Sequence, residues 1–142
     1  MCLTSNLLQC IVFFNYMSFA AGVPLRTMEM DLRRYFNQLR EIKNHQGATN
    51  LRTLGQAVSN LLGMSDDPCV LAGNVIPDLE AFMDGIDVET GKCLVFYVQS
   101  LLYAIFCDFE RGAELALAND GRFAKQVRSV GFNCLCRYAL TR

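Results

Sequence analysis

The sequence predicts an all-α fold of six to eight helices around one central hydrophobic helix, and two observations carry that expectation. Apolar residues recur at intervals of three and four through successive segments, the period of one helix face rather than the alternation of a strand. Residues 92–109, KCLVFYVQSLLYAIFCDF, are apolar on nearly every side, with only Gln99 and Ser100 polar in the interior of the run. A surface helix shows a polar face, so a segment without one has to be surrounded by other elements. At 1.5 Å per residue the run spans about 25 Å, which is long for a strand, suited to a domain core and marginal for a bilayer.

The elements follow in order. Residues 7–21 place Leu7, Ile11, Phe14 and Met17 on a helical stripe, joined by Cys10, Phe13 and Phe19, and read as a packed first helix. A cleaved signal peptide ending near Ala21 is the rival reading; no Lys or Arg precedes the run, and Gln9, Asn15 and Ser18 interrupt it. Gly22 to Pro24 close this helix, and residues 27–43 form an amphipathic second one with Leu32, Tyr35, Phe36, Leu39 and Ile42 on one face. Asn44 to Ala48 read as a loop, and Leu51, Leu54, Val58, Leu61 and Leu62 mark a third helix. Met64 to Pro68 is a turn. Val70 to Met83 is the fourth helix, in which Pro77 sits in the first turn or at a kink, moving the effective start to Asn74. A loop at 84–87 precedes the central helix, Lys92 to Phe109, which Glu110 to Ala118 continue. Asn119, Asp120 and Gly121 break it, and Arg122 to Leu140 form a last helix through Phe123, Val127, Val130, Cys134 and Tyr138.

Composition narrows the function classes. The chain of 142 residues is one domain's worth, able to bury about two thirds of its unfolded surface. With 52% hydrophobic and 19% charged residues it is neither disordered nor of low complexity. Thirteen Lys and Arg against 14 Asp and Glu leave a formal charge of −1, without the basic excess that phosphate binding requires, so no nucleic-acid partner is expected. No window reaches the ~20 apolar residues of a membrane span, and no membrane anchor is expected. The seven cysteines, at 2, 10, 69, 93, 107, 134 and 136, are odd in number and irregular in spacing, which favours free intracellular thiols. Cys93 and Cys107, inside the apolar run, read as small buried hydrophobes. Cys134 and Cys136 are two apart, so on a helix they point about 200° from one another and do not chelate jointly.

Catalytic chemistry finds little material. Residues 85–92, GIDVETGK, have the outline of a phosphate-binding loop, but five residues separate the glycines where four are needed, Cys93 stands where a hydroxyl would hold magnesium, and no strand precedes them. With His45 as the single histidine, and no HExxH or GxSxG, neither a triad nor a metal centre can be assembled readily. No enzyme activity, cofactor or metal is expected.

One region carries a resemblance. Phe82, Met83, Asp84, Gly85 and Ile86 are followed by Glu89, Thr90, Gly91 and Lys92, then by Cys93, Leu94, Val95 and the pair Phe96 and Tyr97. This stretch, within residues 74–102, resembles the Bcl-2-like regulators of apoptosis, including the divergent versions carried by large DNA viruses. In that family an acidic-Gly loop leads to an Asn-Trp-Gly-Arg tetrad that opens the central helix, with an aromatic pair three residues on. Gly91, the basic residue at 92 and the aromatic pair keep that spacing; Glu89 and Thr90 replace Asn and Trp, the loop from Gly85 is two residues longer, and a Trp-rich C-terminal motif has no counterpart in a chain without Trp.

The resemblance implies an intracellular inhibitor of apoptosis, of viral origin, in the host cytoplasm or at mitochondria. Its partners would be pro-apoptotic Bcl-2 proteins, held through their Bcl-2 homology 3 helix; a homodimer is compatible with it. Lys92 would take the place of the arginine that meets the partner's aspartate, as a point charge rather than a planar fork. Glu89 and Gly91 would stand beside it at the helix start, where a glycine lets another backbone approach closely. Val75, Leu79 and Phe82 from the fourth helix, with Leu94 and Val95 from the central one, would line the pockets for anchors at i, i+3, i+4 and i+7. For Leu94 and Val95 ordinary core packing is an equal reading. Leu51, Arg52, Thr53, Leu54, Gly55 and Gln56 resemble the family's own homology 3 pattern, although Gln56 stands where a carboxylate belongs, and their apolar period reads as core helix. Either residues 27–43 or residues 49–63 would correspond to the family's second helix. The alternatives from other classes are a secreted helical cytokine-like factor with a cleaved leader, and a helical scaffold that self-associates through an exposed apolar patch.

Overall fold

The computed structural model describes residues 2–87 and 89–119; the expected last helix at 122–140, with Cys134 and Cys136, lies outside the described residues. The described chain is all-helical: α1 (Cys2–Ala20), α2 (Leu25–Glu41), α3 (His45–Leu61), α4 (Leu79–Asp84), α5 (Glu89–Ile105) and α6 (Phe109–Ala118), with no strand among the described residues.

Helix α1 buries only part of the expected stripe, Ile11 and Phe19 packing against the core. Val12, Asn15 and Tyr16 turn inward, whereas Phe14 is 60% exposed and Phe13 and Met17 are exposed with it. Apolar residues surround this helix so nearly completely that their period does not choose a side, and Tyr16 gives it a polar tie to another helix. The Tyr16 hydroxyl donates to the Asn50 carbonyl of α3 at 3.1 Å, and Asn15 Nδ2 donates to the Ile11 carbonyl at 2.8 Å. Burial, with Tyr97 nearby, holds the Tyr16 phenol far above its ordinary range, so it serves as a neutral donor. Gly22, at φ +77°, ends α1 with the Val23 amide bonded back to the Ser18 carbonyl, the left-handed cap that glycine adopts without strain.

Helix α2 buries Met28, Leu32 and Leu39; Ile42 lies beyond its last turn and is exposed. The loop expected at 44–48 is instead the first turn of α3, because Asn44 caps it: its Oδ1 accepts from the Gly47 amide at 2.7 Å. Helix α3 packs against α1, α2 and α5. Leu51, Leu54, Ala57 and Val58 are each at most 1% exposed, and Thr53, Gln56, Ser59 and Asn60 are buried among them. It is the most enclosed helix among the described residues, which corrects the expectation that the greasy run near residue 100 alone forms the centre. Helix α5 buries Cys93, Leu94, Val95, Val98 and Leu102, but Ala104 and Ile105 at its end are exposed. Enclosure depends on how many helices can approach, and the small residues Gly47, Ala48, Ala57 and Ser59 admit neighbours to α3 that bulky side chains would hold off.

The expected fourth helix, Val70 to Met83, is mostly absent. Only Leu79–Asp84 is helical, with Asp78 Oδ1 accepting from the Ala81 amide at 3.0 Å. Residues 65–78 form an irregular strap instead, because buried carboxamides from α3 and α5 take up its backbone groups. Asn60 Nδ2 donates to the Pro68 and Val70 carbonyls; Gln99 Oε1 accepts from the Leu71 amide while its Nε2 donates to the Cys69 carbonyl.

The continuous helix expected through residue 118 breaks at Cys107, whose φ of +58° closes α5, and Asp108 caps α6 by accepting from the Arg111 amide. Cys107 is therefore exposed rather than buried, while Cys93 is buried as expected. Arg111 joins α6 to the strap: it pairs with Asp67 at 2.9 Å and Asp108 at 2.5 Å, over the face of the Tyr103 ring. The Arg111 guanidinium, and then the Cys69 amide, hold the Asp67 carboxyl below its usual range. A carboxylate lowered in the folded state stabilises the fold above the unfolded pKa, and the contribution is lost as pH falls through the folded value. Asp67→Asn keeps an acceptor for the Cys69 amide but loses the charge. The expected result is a lower melting temperature at neutral pH and convergence with the wild type once the pH falls below the carboxylate range; melting curves against pH check it, and a gap that persists in acid contradicts it.

Candidate functional site

Between α2, α3 and the strap lies a cleft of about 660 Å³. Successive turns of α2 bring Glu29, Arg33, Phe36 and Arg40 to it, with Leu32 beneath; α3 contributes Leu51, Arg52, Gly55 and Ser59; Met64, Asn74 and Val75 close the third side. The apolar floor is Leu32, Phe36, Leu51 and Val75. Its size falls within the ~300–1,000 Å³ of ordinary ligand-binding clefts.

Three arginines and one glutamate bring charge to the rim, and they are differently committed. Arg33 pairs with Glu29 at 3.1 Å. Arg52 Nη2 donates to the Val75 carbonyl at 2.9 Å, and its guanidinium lies 4.9 Å from the centroid of the Phe82 ring. Arg40 makes no ion pair among the described residues. A ligand entering this cleft meets an apolar bed with net positive charge at its edge.

The residues expected from the sequence fall into three groups. Val75 lines the cleft. Leu79 and Phe82, on α4, are half-buried against the core, and Phe82 forms the seat for Arg52. Glu89, Gly91, Lys92, Leu94 and Val95 occupy the first turns of α5. Glu89 is exposed and Lys92 half-buried. A Cβ on Gly91 would come 2.8 Å from Ile86 Cγ2, so the room left by the glycine is filled by the chain's own loop. Leu94 and Val95 belong to the hydrophobic core with Leu54 and Val98. Of the eight, Val75 alone lines this cleft. The pattern at Leu51 to Gln56 faces inward, with Leu51, Leu54 and Gln56 almost fully buried, and is core helix as its period implies.

Sequence reasoning missed Arg33, Phe36, Arg40 and Arg52. A usable signal was present in α2: Phe36 lies three residues after Arg33 and four before Arg40, which places an aromatic side chain between two cations on one helix face. Among the described residues no group of three or more His, Cys, Asp or Glu side chains could hold a metal ion, and no helix is long and apolar enough to cross a membrane. Cys10, Cys69 and Cys107 are free thiols. Comparison with protein-family models, curated proteins and solved structures finds no match to this chain.

Proposed function

We propose that this chain is a binding module that holds an amphipathic helix of a partner protein in the cleft between α2 and α3. The partner class we propose is the Bcl-2 homology 3 segment of pro-apoptotic proteins, so that the activity is inhibition of cell death by sequestration in a host cell infected by a large DNA virus. The observation that carries the reading is the cleft itself: Phe36 and Val75, over the almost fully buried Leu32 and Leu51, give it an apolar side for the anchors of an amphipathic helix, and Arg33, Arg40 and Arg52 favour an occupant with an acidic face. The all-helical fold is consistent with that family, and the Gly91 and Lys92 opening of α5 is what points to its ligand class.

Titration of homology 3 peptides, with a scrambled peptide as control, tests the reading. Binding tighter than about 10 μM, about −7 kcal/mol, is expected, and its absence refutes the proposal. Charge reversal locates the site. Arg40→Glu at the cleft rim should weaken an acidic peptide by about tenfold or more, chiefly through slower association and with a strong salt dependence, since it replaces attraction by repulsion. Lys92→Glu should then have the smaller effect. A larger loss at Lys92 than at Arg40 would move the occupant to the start of α5, the position implied by the resemblance.

A further inference from the structure

The strap that closes the cleft is built around one buried side chain. Gln56 is fully enclosed, and its carboxamide uses its whole bonding capacity. Oε1 accepts from the Val75 amide at 2.9 Å and the Ile76 amide at 2.8 Å; Nε2 donates to Asn60 Oδ1 at 2.7 Å and to the Ala72 carbonyl at 3.3 Å. The strap curls round this group, with the Gly73 amide bonded to the Ile76 carbonyl at 2.8 Å. Gly73 has φ +152°, and a Cβ there would lie 2.8 Å from Gln56 Nε2, so the turn has no room for a side chain on the side the carboxamide occupies. The other side of the same turn presents Asn74 and Val75 to the cleft.

Val75 is thus held at both backbone polar groups by α3: its amide donates to Gln56 and its carbonyl accepts from Arg52, four residues earlier on that helix. We infer that Gln56 is a positioning residue for the binding cleft, setting the third wall through the Val75 and Ile76 amides without itself lining the cleft. This inference rests on the cleft being the binding site. Its physical basis is that an unbonded amide in a buried position is costly, so removal of the acceptor loosens the wall at Val75 and Ile76 and leaves Arg52, through the Val75 carbonyl, as its remaining tie to α3 at that point. The released amides are then satisfied by water or by a shifted strap, and either outcome exposes them to exchange and loosens the wall that Val75 forms.

The test compares Gln56→Met, similar in length but without hydrogen-bonding groups, and Gly73→Ala, which leaves Gln56 present and presses on its amide. Two quantities are read on each: affinity for a homology 3 peptide, and hydrogen exchange at the Val75 and Ile76 amides against interior α3 amides such as Leu54 and Val58. For Gln56→Met the expected result is peptide affinity about tenfold weaker and exchange at Val75 and Ile76 about tenfold faster, with the α3 amides still protected. Gly73→Ala should change both in the same direction by a smaller factor. General loss of stability would instead raise exchange in α3 and the strap together. Unchanged peptide affinity in a folded Gln56→Met protein overturns the inference; if that variant does not fold, unchanged affinity in Gly73→Ala does so. If the wild type binds no peptide, the proposed function fails, and the exchange comparison still decides whether Gln56 holds the wall: unaltered protection at Val75 and Ile76 overturns that too.

Discussion

Leu54→Ala should lower the unfolding free energy by about 2–5 kcal/mol, a large share of the roughly 5–15 kcal/mol typical of a domain. Leu54 is 1% exposed, near the middle of α3, within the same core as Leu51, Val58, Val95 and Val98. Its truncation removes apolar area and leaves a cavity that helices packed from several sides cannot readily collapse to fill. Urea unfolding checks it: the midpoint should fall with the slope nearly unchanged. A loss below about 1 kcal/mol would mean that the site relaxes freely, contrary to the enclosure of α3. The same substitution at Ile42, exposed beyond the end of α2, should cost far less, and that contrast separates burial from hydrophobicity as such.

Gln99→Leu should cost about 2–5 kcal/mol although it exchanges a polar side chain for a hydrophobic one of similar size. Gln99 is 5% exposed in α5, and its carboxamide ties that helix to the strap through the Leu71 amide and the Cys69 carbonyl. Among the described residues no buried side-chain nitrogen or oxygen lacks a partner, and both polar atoms of the Gln99 carboxamide are engaged with the strap. Leucine would leave two backbone groups unpaired in a site closed to water, and each such group costs about 1–3 kcal/mol. Denaturant titration gives the stability, and faster exchange at the Leu71 amide identifies the bond. A variant as stable as the wild type would show that the strap can rearrange without penalty.

These substitutions also mark where the sequence was legible. The helices at 25–41 and 45–61 were readable because each has a strong apolar period and a local stop, so neighbouring residues alone specify them. The first turn of α3 was obscured by Asn44 and Gly47, loop-forming residues by composition that here make a cap. The strap was unreadable. Val70 to Met83 has the apolar content of a helix, and what withdraws it from that state is Gln56, Asn60 and Gln99, at 8 to 30 residues' separation from the backbone groups they bind. The candidate site followed the same division. Val75 was named through the resemblance, as a wall of a groove beside the start of α5; Arg33, Phe36 and Arg40 come from one helix and Arg52 from the next, and nothing local states that the two meet around it.

Local order thus determined that the described chain is helical and where α2 and α3 run. Tertiary structure decided which helix is enclosed, which face of α1 turns inward and which side chains share the cleft. The physical reason is one of range. Helix period, caps and left-handed turns act within about four residues along the chain, whereas the pairing of a buried carboxamide with a distant amide becomes favourable only once packing has excluded water from both.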